Sequence, residues 1–145
     1  MTEKAQLISG NRHSDGRGNI LFNNDFDATA IKRVYTIENA EVGTPRGWQG
    51  HKIEQRWFAA VSGSFNIEII EIDDFDKPAI DLPRQLYELS GSALDILHVP
   101  GGHITLITAL EENSKLLVMA DYAVGEIADE YRFPVDYFVR RVAIR

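Results

Sequence analysis

The feature that most constrains the fold is a series of short strand-like segments separated by turn-forming residues. Runs rich in β-branched and aromatic residues recur about every 8–12 positions, and no amphipathic helix longer than two turns interrupts them. The runs cover residues 20–22, 31–37, 57–65, 66–72, 86–89, 94–99, 104–110 and 116–122. This spacing predicts an all-β sandwich or barrel. We expect any helix to be confined to residues 126–131.

Composition narrows the class of protein. A chain of 145 residues with 44% hydrophobic and 26% charged residues fits one globular domain spanning residues 1–145. The absence of cysteine excludes disulfides, thiolate zinc sites and cysteine nucleophiles. Because 22 acidic residues outweigh 15 basic ones, for a net charge of −7, we expect no nucleic-acid partner. An anionic ligand would need a local basic pocket.

The chain also lacks targeting signals of the usual kinds. Its N-terminal residues contain no basic segment followed by an apolar one, as a secretory signal would. No apolar run approaches the roughly 18–20 residues needed to cross a bilayer. We therefore expect a cytoplasmic protein without a membrane partner.

The most promising polar segment runs from Arg46 to Arg56. Both of these arginines, together with Lys52 and His51, concentrate positive charge in an acidic chain. If the segment is extended, Gln49 and His51 share one face of a strand. Guanidinium groups bind phosphate bidentately, so the segment predicts an anion-binding pocket. The alternative is a solvated edge strand whose charges prevent further pairing.

A second polar segment holds His98 and His103 on either side of a Pro-Gly-Gly turn. Two histidines near a turn suggest a metal, but three protein ligands are normally needed. His51 and Glu54 are the best supplement in the sequence, with nothing to show that they are close. We assign no metal ligand and favour structural roles for both histidines. Motifs for dinucleotides, nucleoside triphosphates, serine hydrolases and zincins are missing.

The last twelve residues, 134–145, read as a short C-terminal appendage with several apolar side chains. Two interpretations stay open. The segment either contributes to a dimer interface or covers a sheet edge of its own chain.

Several of these segments together resemble a known family. The matching stretches are Ile31-Lys32-Arg33-Val34-Tyr35, Arg46-Gly47-x-x-x-His51-Lys52, Val61-Ser62-Gly63-Ser64, Tyr87-Glu88-Leu89-Ser90, Val99-Pro100 and Met119-Ala120-Asp121-Tyr122. They resemble the WxcM-like dTDP-sugar 3,4-ketoisomerases and, more broadly, the cupin jelly rolls of the dTDP-4-dehydrorhamnose 3,5-epimerase superfamily. The resemblance implies a cupin-type jelly-roll barrel or sandwich. It also implies a homodimer that binds a nucleotide-linked 4-keto-6-deoxy sugar without a metal or other cofactor.

The chain departs from the family pattern at the positions that carry protons. Gln49 stands where the family has its general-base histidine, and glutamine cannot accept a proton at neutral pH. Thr105 and Val118 stand where the epimerases have a second histidine and a general-acid tyrosine. Arg46 matches the family arginine, and Arg56 stands where the epimerases have a substrate-contacting lysine.

Three functional hypotheses follow. In the first, the chain is a nucleotide-sugar isomerase or epimerase in which His51 is the base and Tyr35 its proton partner. Substrate would then be bound by Arg46, Gln49, Lys52 and Arg56. In the second, it is a catalytically silent cupin that binds a sugar nucleotide or another protein. The third, a metal cupin, lacks the His-x-His pair because Gln49 interrupts it.

Overall fold

The computed structural model describes residues 3–139 of the chain. These residues form twelve strands and no helix. The strands are β1 (Gln6–Ile8), β2 (Asn11–Asp15), β3 (Gly18–Phe22), β4 (Arg33–Ile37), β5 (Arg46–His51), β6 (Arg56–Ser62), β7 (Ser64–Glu71), β8 (Arg84–Ser90), β9 (Ile96–Val99), β10 (His103–Ala109), β11 (Lys115–Ala120) and β12 (Glu130–Arg132). The all-β prediction is confirmed.

Ten of the strands form two antiparallel sheets of five. The first sheet has the order β1-β9-β6-β11-β4, and the second has the order β12-β5-β10-β7-β8. Chain neighbours often change sheet. The Ser62-Gly63-Ser64 turn, for example, joins β6 of the first sheet to β7 of the second, with Gly63 at φ 68°. Residues 57–72 are therefore two strands, as predicted, but they do not pair with each other.

The main core lies between the two sheets. Alternate residues of β6 and β11, such as Phe58 and Val118, meet alternate residues of β7, such as Phe65 and Ile67. Side chains in a strand point to opposite faces in turn, so each strand contributes every second residue to this core. One shared core holds the sheets face to face.

Both outer faces are covered as well. On the first sheet, Trp57 and Met119 pack beneath residues of the N-terminal segment, among them Phe26. On the second sheet, Trp48 and Ile104 pack beneath the C-terminal segment that contains Phe138. Covering the outer faces explains why β10 is buried at six of its seven positions rather than at every second one.

The C-terminal appendage therefore packs on its own chain where it is described. Arg84 donates hydrogen bonds from Nη2 to the carbonyl oxygens of Phe138 (3.3 Å) and Val139 (3.4 Å). The segment covers a sheet face rather than a sheet edge. Residues 140–145, which belong to the same predicted appendage, lie outside the described residues.

Any helix was expected to lie within residues 126–131, but residues 3–139 contain no helix, there or elsewhere. Glu130–Arg132 is strand β12, which pairs with β5 in antiparallel register. Pairing across sequence distance, which local composition does not reveal, decided the conformation of this segment.

The remaining two strands, β2 and β3, form a hairpin that pairs with no other strand of residues 3–139. All five residues of β2 are exposed, and Ile20 in β3 is 59% exposed. The base of the hairpin is closed by Asn23, whose Nδ2 donates to the carbonyl oxygens of Ile8 and Leu94, both at 2.9 Å. The hairpin thus projects from a fixed base. Across residues 3–139, no helix has the length and apolar character needed to cross a bilayer.

Candidate active site

A cavity of about 330 Å³ opens between the two sheets, at the end of the sandwich where β5, β6 and β10 lie close together. It is lined by four arginines, two histidines and two glutamates in addition to apolar and neutral side chains. The charged and imidazole groups are Arg33, Arg46, Arg56, Arg132, His51, His103, Glu54 and Glu130. A cavity with this excess of guanidinium groups favours an anionic ligand despite the net acidity of the chain.

A β-bulge arranges the polar residues of β5. Gln49 pairs with Thr105 and Gly47 with Leu106, so Trp48 has no partner on β10. The extra residue turns Trp48 to the outer core, while Arg46, Gln49 and His51 line the cavity. The prediction that Gln49 and His51 share a face is confirmed. The solvated-edge alternative is wrong, because β5 lies between β10 and β12.

His51 is buried and held through one ring nitrogen. Its Nδ1 lies 3.2 Å from the carbonyl oxygen of Asp129 and 3.3 Å from Oε2 of Glu54. A carbonyl oxygen can only accept, so Nδ1 carries a proton. Burial, reinforced by the charge of Arg56, lowers the pKa of His51 to about 4. At neutral pH the ring is therefore uncharged, and Nε2 is its basic atom.

The loop after β5 is held in place by one carboxylate. Asp129 accepts hydrogen bonds from the backbone N–H groups of Lys52 (3.1 Å), Ile53 (2.8 Å) and Glu54 (2.8 Å). Asp129 is itself buried, and its carbonyl oxygen is the partner of His51. A single residue thus fixes both the loop and the orientation of the imidazole.

Arg56 and Glu54 form a buried ion pair beside His51. Nη2 of Arg56 lies 2.7 Å from Oε2 of Glu54, and each side chain is 9% exposed. Burial raises the pKa of Glu54, although Arg56 opposes that effect. Nη1 of Arg56 is buried without a hydrogen-bond partner among the described residues. An unsatisfied guanidinium nitrogen in a cavity is a costly arrangement that an anionic ligand would relieve.

Tyr35 lies close to two arginines. The guanidinium carbon of Arg33 is 4.6 Å from the centre of the Tyr35 ring, and that of Arg56 is 6.0 Å from it. Tyr35 lines the same cavity as His51. The structure therefore brings together Tyr35, His51, Arg46, Gln49 and Arg56, five of the six residues that the sequence nominated.

Lys52 is the exception. Its side chain lies outside this cavity, beside a separate surface depression with Ile53 and Asp73. Lys52 follows the end of β5, and only its backbone N–H takes part in the loop around the site. Strand alternation alone would have predicted this, because Lys52 follows the inward-facing His51.

The two family-equivalent positions besides Gln49 have different environments. Thr105 lines the cavity as the cross-strand partner of Gln49, whereas Val118 is completely buried in the main core. Gln49 donates from Nε2 to Oε1 of Glu130 at 3.0 Å. Its amide is thus engaged with β12.

His98 and His103 face opposite ways. His98 stacks on Trp57 on the outer face of the first sheet, with ring centroids 4.8 Å apart, and its Nε2 lies 2.7 Å from Oε1 of Gln55. His103 instead lines the cavity. Sequence analysis assigned both to structural roles and missed the position of His103, as it missed those of Arg33, Asp129, Glu130 and Arg132. Residues 3–139 contain no group of three or more histidine and carboxylate side chains placed to hold a metal ion.

Comparisons with known proteins agree with this architecture. The sequence matches the family model described as WxcM-like, C-terminal (FdtA) over residues 3–140. No curated protein sequence matches the chain significantly.

Among solved structures, a variant of the 3,4-ketoisomerase QdtA from Thermoanaerobacterium thermosaccharolyticum in complex with TDP-4-keto-6-deoxyglucose has a TM-score of 0.70 at 22% identity. The match covers 94% of this chain and 93% of that one. A 3,4-ketoisomerase from Helicobacter canadensis has a TM-score of 0.64 at 21% identity, covering 84% and 87%. The RmlC epimerase of Mycobacterium tuberculosis has a TM-score of 0.70 at 18% identity, covering 94% and 73%.

These structural likenesses confirm the predicted cupin jelly roll. The family model covers nearly the whole sequence. On these grounds the chain belongs to the WxcM-like, C-terminal family.

Proposed function

We propose that this protein is a nucleotide-sugar isomerase or epimerase that acts on a dTDP-4-keto-6-deoxyhexose. The observation that carries the proposal is the buried, unpartnered Nη1 of Arg56 in a cavity that also holds the neutral imidazole of His51. The Nη1 donor of Arg56 suits a phosphate oxygen, and the imidazole of His51 suits the removal of a carbon-bound proton. Structural neighbours in complex with TDP and TDP-4-keto-6-deoxyglucose support this ligand class.

Binding would use the guanidinium groups of the cavity. The diphosphate needs bidentate donors with a permanent charge, which arginine supplies. Arg56 has one such donor free, and Arg46 lies on the inner face of β5 in the same cavity. Gln49, through its amide, would contact the sugar from the same strand.

Chemistry would begin at Nε2 of His51. Removal of a proton next to a carbonyl needs an uncharged base close to the substrate, and His51 is uncharged at neutral pH. Glu54, close to Nδ1, would stabilise the imidazolium that forms. A phosphate group paired with Arg56 would weaken the charge that lowers the pKa of His51 and so increase its basicity. Tyr35 would serve as proton partner by donating a hydrogen bond from its hydroxyl to the carbonyl oxygen as negative charge forms there. None of these steps needs a cofactor.

A second candidate is a cupin that binds the sugar nucleotide without transforming it. Gln49 favours this alternative, because it occupies the position of the family base and its amide is tied to Glu130. The two candidates share the pocket and differ only in proton transfer.

Deuterium exchange separates the two candidates. Incubation with dTDP-4-keto-6-deoxyglucose in D₂O should place deuterium next to the carbonyl, and His51→Asn should abolish that exchange. His98→Asn, which removes a histidine on the outer face, is the matched control and should retain it. Thermal stabilisation by the ligand without any exchange in the unaltered protein would favour silent binding. Neither effect with dTDP, UDP, GDP or CDP sugars would overturn the proposed ligand class.

The role of Arg56 can be tested separately. Arg56→Lys keeps a positive charge beside Glu54 but removes the second donor nitrogen of the guanidinium group. Loss of one charge-assisted hydrogen bond should weaken dTDP binding about tenfold by calorimetry. Arg12→Lys in the exposed hairpin is the control, with unchanged affinity expected. Equal affinity of Arg56→Lys and the unaltered protein would mean that Nη1 does not bind phosphate.

We also propose that the protein works as a homodimer. The exposed β2–β3 hairpin supports this, because a two-stranded hairpin is at best marginally stable in water without further packing. Ile20 would be buried by a second copy of the chain.

A further inference from the structure

Two imidazoles lie side by side on the inner face of the second sheet. His51 of β5 and His103 of β10 are cross-strand partners, and both line the cavity. Cross-strand partners have Cβ atoms about 4.5–5.5 Å apart, so their rings reach the same volume. The next inward pair along the two strands is Gln49 and Thr105, neither of which titrates. The inward row of Gln49 and Thr105 therefore has no titratable side chain, whereas the adjacent row of His51 and His103 has two.

The two rings are anchored alike. Nδ1 of His51 donates to the carbonyl oxygen of Asp129, and Nδ1 of His103 lies 3.0 Å from the carbonyl oxygen of Pro100 and 3.2 Å from that of Gly101. A carbonyl oxygen only accepts, so each Nδ1 carries a proton. Among residues 3–139, no hydrogen bond engages Nε2 of either ring. Each histidine thus keeps Nε2 for a ligand, although His103 is only 3% exposed.

We infer that His103 is a second catalytic residue, which moves the hydroxyl proton while His51 moves the carbon proton. The inference rests on the proposed function. His51 removes the proton from the hydroxyl-bearing carbon next to the carbonyl, and the C–H electron pair forms the enediolate double bond. The carbonyl π pair becomes a lone pair on its oxygen.

His103 completes the exchange of positions. Its Nε2 takes the proton from the neighbouring hydroxyl and delivers it to the former carbonyl oxygen. The oxygen left negative then forms the new carbonyl, and the enediolate electron pair takes the proton back from His51 at the adjacent carbon. Both imidazoles return to their starting state. The step is redox-neutral and needs no co-reactant.

Loss of His103 should therefore separate exchange from isomerisation. In His103→Asn, the amide nitrogen can still donate to the carbonyl oxygen of Pro100, so the fold should be kept. With dTDP-4-keto-6-deoxyglucose in D₂O, we expect deuterium to enter next to the carbonyl at a rate within about tenfold of the unaltered protein. Conversion to the 3-keto isomer should fall by about 100-fold, the usual effect of losing a general acid–base group.

Binding and a second variant separate chemistry from structure. The dissociation constant for dTDP should change less than about threefold in His103→Asn, and His103→Gln should give the same separation of rates. If exchange, isomerisation and dTDP binding all fall together in both variants, or if isomerisation is unchanged, the inference is wrong. If the unaltered protein neither exchanges nor isomerises this substrate, the proposed function fails first, which is a distinguishable result.

Discussion

At the scale of the residue, the environment of His51 decides its chemistry. The imidazole is enclosed by Glu54 and Arg56 from the following loop and strand and by Asp129 and Glu130 from the segment that leads into β12. Burial and Arg56 favour the neutral ring, whereas the carboxylates favour the charged one. The first effect is larger, so the pKa falls to about 4. A neutral imidazole at pH 7 is the form that a general base requires.

This pKa makes stability depend on pH. The unfolded chain binds a proton at His51 near the ordinary histidine pKa of about 6.5, whereas the folded chain does so only near 4. Between these values protons favour the unfolded state, so stability falls as the pH drops through this window. The loss at pH 4.5 relative to pH 7.5 should be about 2 kcal/mol from this group.

Urea unfolding of the unaltered protein and of His51→Gln, at one protein concentration, measures that loss. The variant should lose about 2 kcal/mol less than the unaltered protein between pH 7.5 and 4.5. Glu54, whose pKa is raised, is present in both proteins and its effect largely cancels. Equal losses in the two proteins would show that His51 titrates normally.

Much of the site could be predicted from the identity of its residues. Arg46, Gln49, His51 and Arg56 fall in one dense segment, and strand alternation predicted the shared face of Gln49 and His51. Arg46 joins that face only because of the bulge at Trp48, which alternation does not predict. The place of His103 in the cavity could not be predicted, because His51, its partner across the sheet, is 52 positions away in the sequence. Local composition is also the same around an inward-facing and an outward-facing histidine. Tyr35 was nominated only through the family resemblance.

At the scale of the element, β5 and its following loop depend on Asp129. Its carboxylate accepts hydrogen bonds from the three backbone N–H groups of residues 52–54. Asp129 is buried and distant from that loop in the sequence. The loop has few other backbone partners among the described residues. Its shape is therefore set from outside, by the segment that leads into β12.

Replacing Asp129 with alanine should destabilise the protein and weaken the site together. Three backbone N–H groups would lose their acceptor, at a cost of about 3 kcal/mol after partial hydration of the loop. We expect a lower melting temperature and a rate of deuterium exchange reduced by at least about tenfold. Asp136→Ala, at an exposed position of the C-terminal segment, should change neither value. Full exchange activity in Asp129→Ala would mean that the loop holds its shape unaided.

The strands could be predicted from the sequence more completely than the pairing between them. Strands such as β4, β7 and β11 were predicted because β-branched and aromatic residues mark them directly. β12 was not among the predicted strands, because Glu130–Arg132 has no such mark and is extended by pairing with β5. Sheet assignment of β6 and β7 was likewise hidden, since a tight glycine turn occurs both in hairpins and between sheets.

At the scale of the whole molecule, the β2–β3 hairpin stands apart from the two five-stranded sheets. Within the part of the chain that the structure describes, its two strands pair only with each other. The base is fixed by Asn23 and by Asp95, whose Oδ1 accepts from the backbone N–H of Gly10 at 2.8 Å. An exposed hairpin whose base is held in this way is suited to contact a second copy of the chain.

Replacing residues 11–22 with a short Gly-Ser-Gly turn tests that role. The two ends are close, because Asn23 contacts Ile8, so the sandwich should still fold. Analytical ultracentrifugation should then give a dimer for the unaltered protein and a monomer for the shortened one. Ile20→Ser should weaken the dimer in the same direction, and Val124→Ser, at an exposed loop position, should not. A dimer that survives the replacement would place the interface elsewhere.

The covered outer faces give the molecule two internal optical reporters. The chain has two tryptophans, and each lies on the outer face of a different sheet: Trp57 against His98 and Trp48 against Phe138. Trp48→Phe leaves a fluorophore that senses the first sheet, and Trp57→Phe leaves one that senses the second. Emission from the two variants would therefore follow, separately, the loosening of the N-terminal and C-terminal covers.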